Sequence, residues 1–149
     1  MGHTYTNLMY HIVFSTQERR PWLTGEMNPR LVQMAGGILR DAGGKLLLMN
    51  GPADHVHLLA LVSPKASMSD GVRDLKAGTS KWVHQEFPGM SDFAWQEGFS
   101  AFTVSKSSAQ SVLAYIENQE EHHRKKSFKE ELIEFLERHE IEYNPEYLL

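Results

Sequence analysis

With 149 residues, 41% of them hydrophobic, and no cysteine, the chain has the size of one domain and can bury roughly 70% of its unfolded surface. The composition argues against a disordered chain, and the lack of cysteine excludes a disulfide scaffold, a thiolate zinc site and a cysteine nucleophile. No apolar run approaches the about 20 residues of a membrane span, and the first fifteen residues alternate polar with apolar instead of forming a signal core, so a soluble, unprocessed, cytoplasmic protein is expected.

The net charge of −4 argues at first against a nucleic-acid partner. Its distribution changes that inference: residues 1–106 hold 10 Lys+Arg and 9 Asp+Glu, whereas residues 107–149 hold 5 and 10. The acidity belongs to the C-terminal part, and the remainder is free to meet phosphate.

In chain order, Leu8 to Ser15 is rich in β-branched and aromatic residues and predicts a first strand, closed by Arg19, Arg20 and Pro21. Asn28-Pro29 offers an N-cap with proline in the first turn, and Leu31, Met34, Ala35, Ile38 and Leu39 recur at helical spacing until Gly43-Gly44. Lys45 to Asn50 and His55 to Val62 flank the turn Gly51-Pro52-Ala53-Asp54 and predict an antiparallel hairpin. Met68, Val72, Leu75, Thr79, Trp82, Val83 and Phe87 mark one face of a second helix, ended by Pro88-Gly89. Phe93 to Trp95 and Phe99 to Val104, interrupted at Gly98, predict a fourth strand with a bulge or bend. Capping boxes at Ser107/Gln110 and Ser127/Glu130 open a helix to about residue 125 and a last helix to about residue 139. The order β-α-β-β-α-β with two C-terminal helices is that of an α+β, ferredoxin-like antiparallel sheet in a single domain.

Side chains alternate faces along a strand, so His55 and His57 point the same way, with Val56 on the other side. Two imidazoles then converge on one point, and a metal site there needs a further oxygen or nitrogen donor from elsewhere in the fold. On the third helix, Tyr115 and Gln119 are four residues apart and share a face, flanking the apolar stripe of Ala109, Val112, Leu113 and Ile116. That is an unusual position for residues whose only task is packing.

The segment Asp54-His55-Val56-His57-Leu58-Leu59, followed some sixty residues later by Tyr115-Ile116-Glu117-Asn118-Gln119, resembles the single-tyrosine HUH transposases. These are the small insertion-sequence enzymes and their relatives associated with repetitive extragenic palindromes. Tyr10-His11-Ile12-Val13-Phe14, Lys81-Trp82-Val83, Phe99-Ser100-Ala101-Phe102 and Gln119-Glu120-Glu121-His122-His123-Arg124 are similar to that family as well, so the likeness covers nearly the whole chain. The resemblance implies cleavage and rejoining of single-stranded DNA, read at hairpins, through a covalent 5′-phosphotyrosine. It implies Tyr115 as the nucleophile and His55, His57 and Gln119 as ligands of a divalent metal, Mg²⁺ or Mn²⁺. It also implies a homodimer, in which the tyrosine helix of one subunit can complete the site of the other.

The residue types suit that chemistry. A phosphodiester repels a nucleophile, a divalent cation offsets its charge, and neutral imidazole and amide ligands leave that charge undiminished. A phenol with an ordinary pKa of about 10 must lose its proton as it attacks. His122 lies near Tyr115 and Gln119 on the helix and is a candidate to assist; Asp54 is expected to brace the hairpin, and His11 to be structural. Arg73, Lys76 and Lys81 on the second helix and Arg124 beyond the third are candidate phosphate contacts, and Trp22, Trp82 and Trp95 candidate base-stacking residues. The last helix reads as a packing or dimer element, with Phe128, Leu132, Phe135 and Leu136 on one side and glutamates on the other. Two other readings compete: a nucleic-acid-binding module that no longer cuts, and a phosphodiesterase that uses water.

Overall fold

A computed structural model describes residues 2–119 and 125–148. Its strands are β1 (Met9–Ser15), β2 (Lys45–Asn50), β3 (His55–Leu61) and β4 (Ser100–Thr103). Its helices are α1 (Asn28–Asp41), α2 (Met68–Glu86), α3 (Ala109–Glu117) and α4 (Phe128–Arg138), with short 3₁₀ turns at Gln17–Arg19, Lys106–Ser108 and Pro145–Tyr147. The strands form one antiparallel sheet in the order β2-β3-β1-β4. This is the ferredoxin-like arrangement, in which each βαβ unit is split by a strand inserted between its two strands.

Strand alternation divides the core into two layers. Ile12 and Phe14 of β1 and Val56, Leu58 and Ala60 of β3 face α1 and α2, where Leu31, Ala35, Leu39, Val72, Leu75 and Val83 meet them. The opposite set, Met9 and Val13 of β1 with Leu59 of β3, faces α3 and α4. Both central strands are thus buried on two faces, which is why they read as nearly continuous apolar runs. His11, His55 and His57 belong to the α3/α4 face and are buried there.

Several local expectations are corrected. Helix α1 is capped one residue early, at Met27, whose N–H is bound by the Thr24 hydroxyl, so Asn28 is already helical. The fourth strand is only four residues long. Trp95 pairs separately with Thr16, and Gly98 turns the chain with φ +82 between the two segments. Lys76 pins that turn by donating to the carbonyls of Gln96, at 3.0 Å, and Gly98. The Ser107 capping box does not form: the Ser107 hydroxyl bonds with that of Ser105, and a 3₁₀ turn leads into α3. Helix α3 is interrupted at Asn118 (φ −96, ψ 25), so the expected single helix over about 107–125 is shorter among the described residues. At α4 the capping box Ser127/Glu130 is present as expected.

Candidate functional site

The site is built on the start of β3. Gly51 permits it: a Cβ there would lie 2.2 Å from the His55 carbonyl oxygen, so only glycine lets the turn close against the strand that carries the histidines. Above this strand, α3 is held at both ends of its last turn. Ile116 is fully buried beneath it, and the Asn50 amide donates to the carbonyls of Ile116, at 3.0 Å, and Glu117, at 3.3 Å. A side chain from the end of β2 thus fixes the part of the helix that presents Tyr115.

Tyr115 is brought to the histidine pair: its ring centroid lies 5.8 Å from that of His57, edge-on. Gln119 is buried one turn further on, and its amide donates to the Tyr115 carbonyl at 3.2 Å. His55, His57 and Tyr115 therefore meet at one place within one chain, with Gln119 bonded to Tyr115 beside them.

Two residues join them that are not among the candidate site residues read from the sequence. Glu131 of α4 is 2% exposed and lies on the inner face of its helix, apart from the many glutamates that the sequence places on the outer side. Its Oε1 is 2.9 Å from His57 Nε2 and 3.4 Å from His55 Nε2, and its Oε2 accepts the Tyr115 hydroxyl. The signal was its spacing: Phe128, Glu131, Leu132 and Phe135 follow the i, i+3, i+4, i+7 pattern of a buried face. The second residue is His11, whose Nε2 is 2.8 Å from His57 Nδ1. In the β1–β3 register His11 faces Leu59, which makes it a diagonal neighbour of His57 on the same face.

The outer nitrogens of the two histidines are thus both engaged. Asp54 Oδ1 is 2.7 Å from His55 Nδ1, so this side chain braces the ring. An ionised carboxylate can only accept, which puts the His55 proton on Nδ1 and turns Nε2 toward Glu131. Burial is the largest influence on the His55 pKa and lowers it, but the hydrogen bonds to Asp54 and Glu131, with both charges, outweigh it and hold the pKa above the usual 6.5. Burial and then repulsion from His57 lower His11 to about 3, which keeps it neutral. Burial, then the bond to Glu131, pushes the Tyr115 phenol well above its ordinary value, while the Gln119 amide works in the opposite direction.

Ligand atoms of His55, His57 and Glu131 all lie within 4.8 Å of one another, so this buried trio could hold a metal ion. The two nitrogen–oxygen separations are near the about 3 Å expected between neighbouring ligands that sit about 2.1 Å from one small cation, and the donor set fits the group. Phe128 covers the trio, its ring 4.5 Å from that of His55, and Leu132, Phe135 and Leu136 seat α4 on Val13 and Phe102.

The candidate phosphate contacts are distributed differently. Helix α2 lies on the sheet face opposite the histidines. There Arg73 is exposed and paired with Asp70 and Asp74, Lys81 is exposed, and Lys76 is turned in against Phe14. Burial lowers the Lys76 pKa to about 8. Trp95 is buried, and Trp82 packs on the core with Arg30 over its ring. Arg124, His122 and His123 lie outside the described residues.

A ferredoxin-like sheet with paired strand histidines beneath a helical tyrosine is the architecture of a class of DNA-processing transposases, and comparison with known proteins agrees. The profile described as "Transposase IS200 like" matches residues 4–119. The chain is 31% identical over 129 residues to the transposase for insertion sequence element IS200 of Salmonella typhimurium, covering 80% of this chain and 81% of that protein. It is 27% identical over 123 residues to the ISDra2 transposase TnpA of Deinococcus radiodurans, covering 79% and 87%. Among solved structures, a Deinococcus radiodurans R1 protein assigned as a transposase superposes with a TM-score of 0.65 at 27% identity, over 80% of this chain and 96% of that one. A REP-associated tyrosine transposase bound to a REP hairpin shares the fold, with a TM-score of 0.62 at 15% identity over 83% and 73%. The chain belongs to the IS200-like transposase family. No helix among the described residues is long and apolar enough to cross a membrane.

Proposed function

We propose that this transposase cleaves and rejoins single-stranded DNA at a divalent-metal site through a 5′-phosphotyrosine on Tyr115. The observation that carries the reading is the sharing of one carboxylate: the hydroxyl of Tyr115 and the Nε2 atoms of His55 and His57 all converge on Glu131. The Tyr115 oxygen attacks phosphorus and loses its proton, and the bond to the 3′-oxygen breaks to release a 3′-hydroxyl. His55 and His57, with Gln119 in the position the family resemblance implies, would hold Mg²⁺ or Mn²⁺. A bound divalent cation would supply positive charge to offset the phosphodiester and the developing phenolate. The chain's own part is to orient the phenol: Asn50 fixes its helix end and Ile116 seats the helix on the sheet.

DNA as the partner follows from the family, and a hairpin in that DNA is supported by the hairpin-bound relative that shares the fold. A cleft lined by His11, Ser105, Ser108, Ser111, Arg138 and His139 opens beside the site and offers hydroxyls and a guanidinium to phosphate. Within the homodimer implied by the resemblance, the approach of Tyr115 to the histidines of its own chain supports assembly in cis.

The test is incubation of wild type and Tyr115→Phe with labelled hairpin oligonucleotides bearing single-stranded flanks, in Mn²⁺. Wild type is expected to give a denaturation-resistant protein–DNA adduct and Tyr115→Phe none. Cleavage without an adduct, surviving in Tyr115→Phe, would show water as the nucleophile; hairpin binding without cleavage would show a binding module.

A further inference from the structure

We propose that the loop after β1, residues 16–20, holds the unpaired DNA flank beside the scissile phosphodiester, with Arg19 as its phosphate-binding residue. The inference rests on the reading of a hairpin with a single-stranded flank as the substrate, and it names the element that grips that flank.

Three observations support it. The first is position. Strand β1 ends at Ser15, the register partner of His55. Thr16 then donates its N–H to the Asp54 carbonyl at 2.9 Å, and the Leu23 N–H bonds the Ala53 carbonyl at 3.0 Å. The loop is therefore fastened at both ends to the turn that leads into His55.

The second is backbone strain. Glu18 (φ 57, ψ 18) and Arg19 (φ 53) are successive residues in the left-handed region, a conformation unfavourable for a residue with a Cβ and one that glycine or asparagine adopts more readily. Two hydrogen bonds close over the pair: the Arg19 N–H donates to the Thr16 carbonyl at 3.0 Å, and the Thr16 hydroxyl to the Arg20 carbonyl at 2.7 Å. The Gln17 N–H ties the same loop to the Ala94 carbonyl at 2.8 Å. Such a conformation persists only where its surroundings over-determine it, and it concentrates at sites that clamp ligands.

The third is charge. Arg20 is paired with Glu18 at 3.2 Å, whereas Arg19 is partly buried and has no carboxylate partner among the described residues. Elsewhere Arg30 is paired with Glu86, Arg73 with Asp70 and Asp74, and Lys76 is engaged by backbone carbonyls. A guanidinium on a rigid loop loses little freedom on binding and can present two N–H groups to one phosphate.

Fluorescence anisotropy in EDTA, with a hairpin oligonucleotide made with and without a single-stranded flank, tests this. Wild type is expected to bind the flanked hairpin more tightly. Arg19→Gln is expected to bind it about 10-fold more weakly and to reduce the slope of log K against log salt by about 0.7, the value for one single-strand phosphate contact. Its affinity for the flankless hairpin and its melting temperature are expected to match wild type. Arg19→Lys, which keeps the charge, is expected to recover the slope and part of the affinity. Unchanged affinity and slope in Arg19→Gln would overturn the proposal. So would an equal loss on both oligonucleotides, since Arg19 would then grip the stem, or equal binding of both by wild type, since the flank would then make no contact. A flank-dependent loss in Arg19→Gln without any Tyr115 adduct in wild type would remove the cleavage reading and leave this inference standing. Adduct formation with Arg19→Gln binding like wild type would do the reverse.

Discussion

Replacing Gly51 by alanine tests whether the hairpin geometry positions the histidines. The added Cβ would meet the His55 carbonyl oxygen at 2.2 Å and the Val56 Cα at 3.0 Å, both backbone atoms that cannot rotate away. An ordinary contact needs about 1 Å more, so the turn must separate from β3 at the residues that begin the site. Overpacking of this kind costs about 1–3 kcal/mol, which in a domain of this size lowers the melting temperature by about 3–10 °C. A shift of about 1 Å in reacting groups lowers rate by about 100-fold, so adduct formation is expected to fall much further than stability. Gly71→Ala is the control: nothing lies within 4 Å of its Cβ, it is in α2, and a gain of about 0.5–1 kcal/mol is expected. Thermal melting and initial adduct rates, measured side by side, decide the matter. If Gly51→Ala melts like wild type the clash argument fails; if it melts lower but keeps the full adduct rate, the turn does not position the site.

Two further outcomes are expected. In metal-free protein, His11 has a folded pKa near 3 against 6.5 unfolded, so the unfolded chain binds the proton first and His11 makes stability fall as pH drops from about 6.5 to 3. His55 is raised above 6.5, so its contribution has the opposite sign, full below 6.5 and lost as pH rises through its folded pKa. Imidazole ¹⁵N shifts should show His11 neutral at pH 5, and a His11 that titrates near 6.5 would refute its burial against His57. Ser127→Ala removes the capping box of α4 and is expected to cost about 1 kcal/mol, read as faster amide exchange at 128–138 with α2 unchanged; unchanged exchange would mean that the cap does not hold the helix.

Much of this was legible in the sequence because it depends on local chemistry. The period-two pattern of β3 puts His55 and His57 on one face whatever lies above them, and the i, i+4 spacing does the same for Tyr115 and Gln119. The Ser127/Glu130 cap and the apolar stripe of α4 are local as well, and the structure keeps both. The Ser107 cap failed because neighbouring serines compete for the same hydroxyl. The Lys76 charge, read as available to phosphate, is drawn to two carbonyls on the other side of the sheet from the histidines.

What the sequence by itself determined is the set of groups: a histidine pair on a strand, a tyrosine and an amide on a helix, and an acidic C-terminal helix with one wet and one dry face. Only the tertiary structure decided which of them share a volume. His11 reaches His57 through the β1–β3 register, 46 residues apart, and Glu131 reaches it across 74. No local rule fixes such distances, since they are set by how the helices lie across the sheet. A glutamate on an apolar stripe has no partner until folding brings two imidazoles and a phenol beneath it.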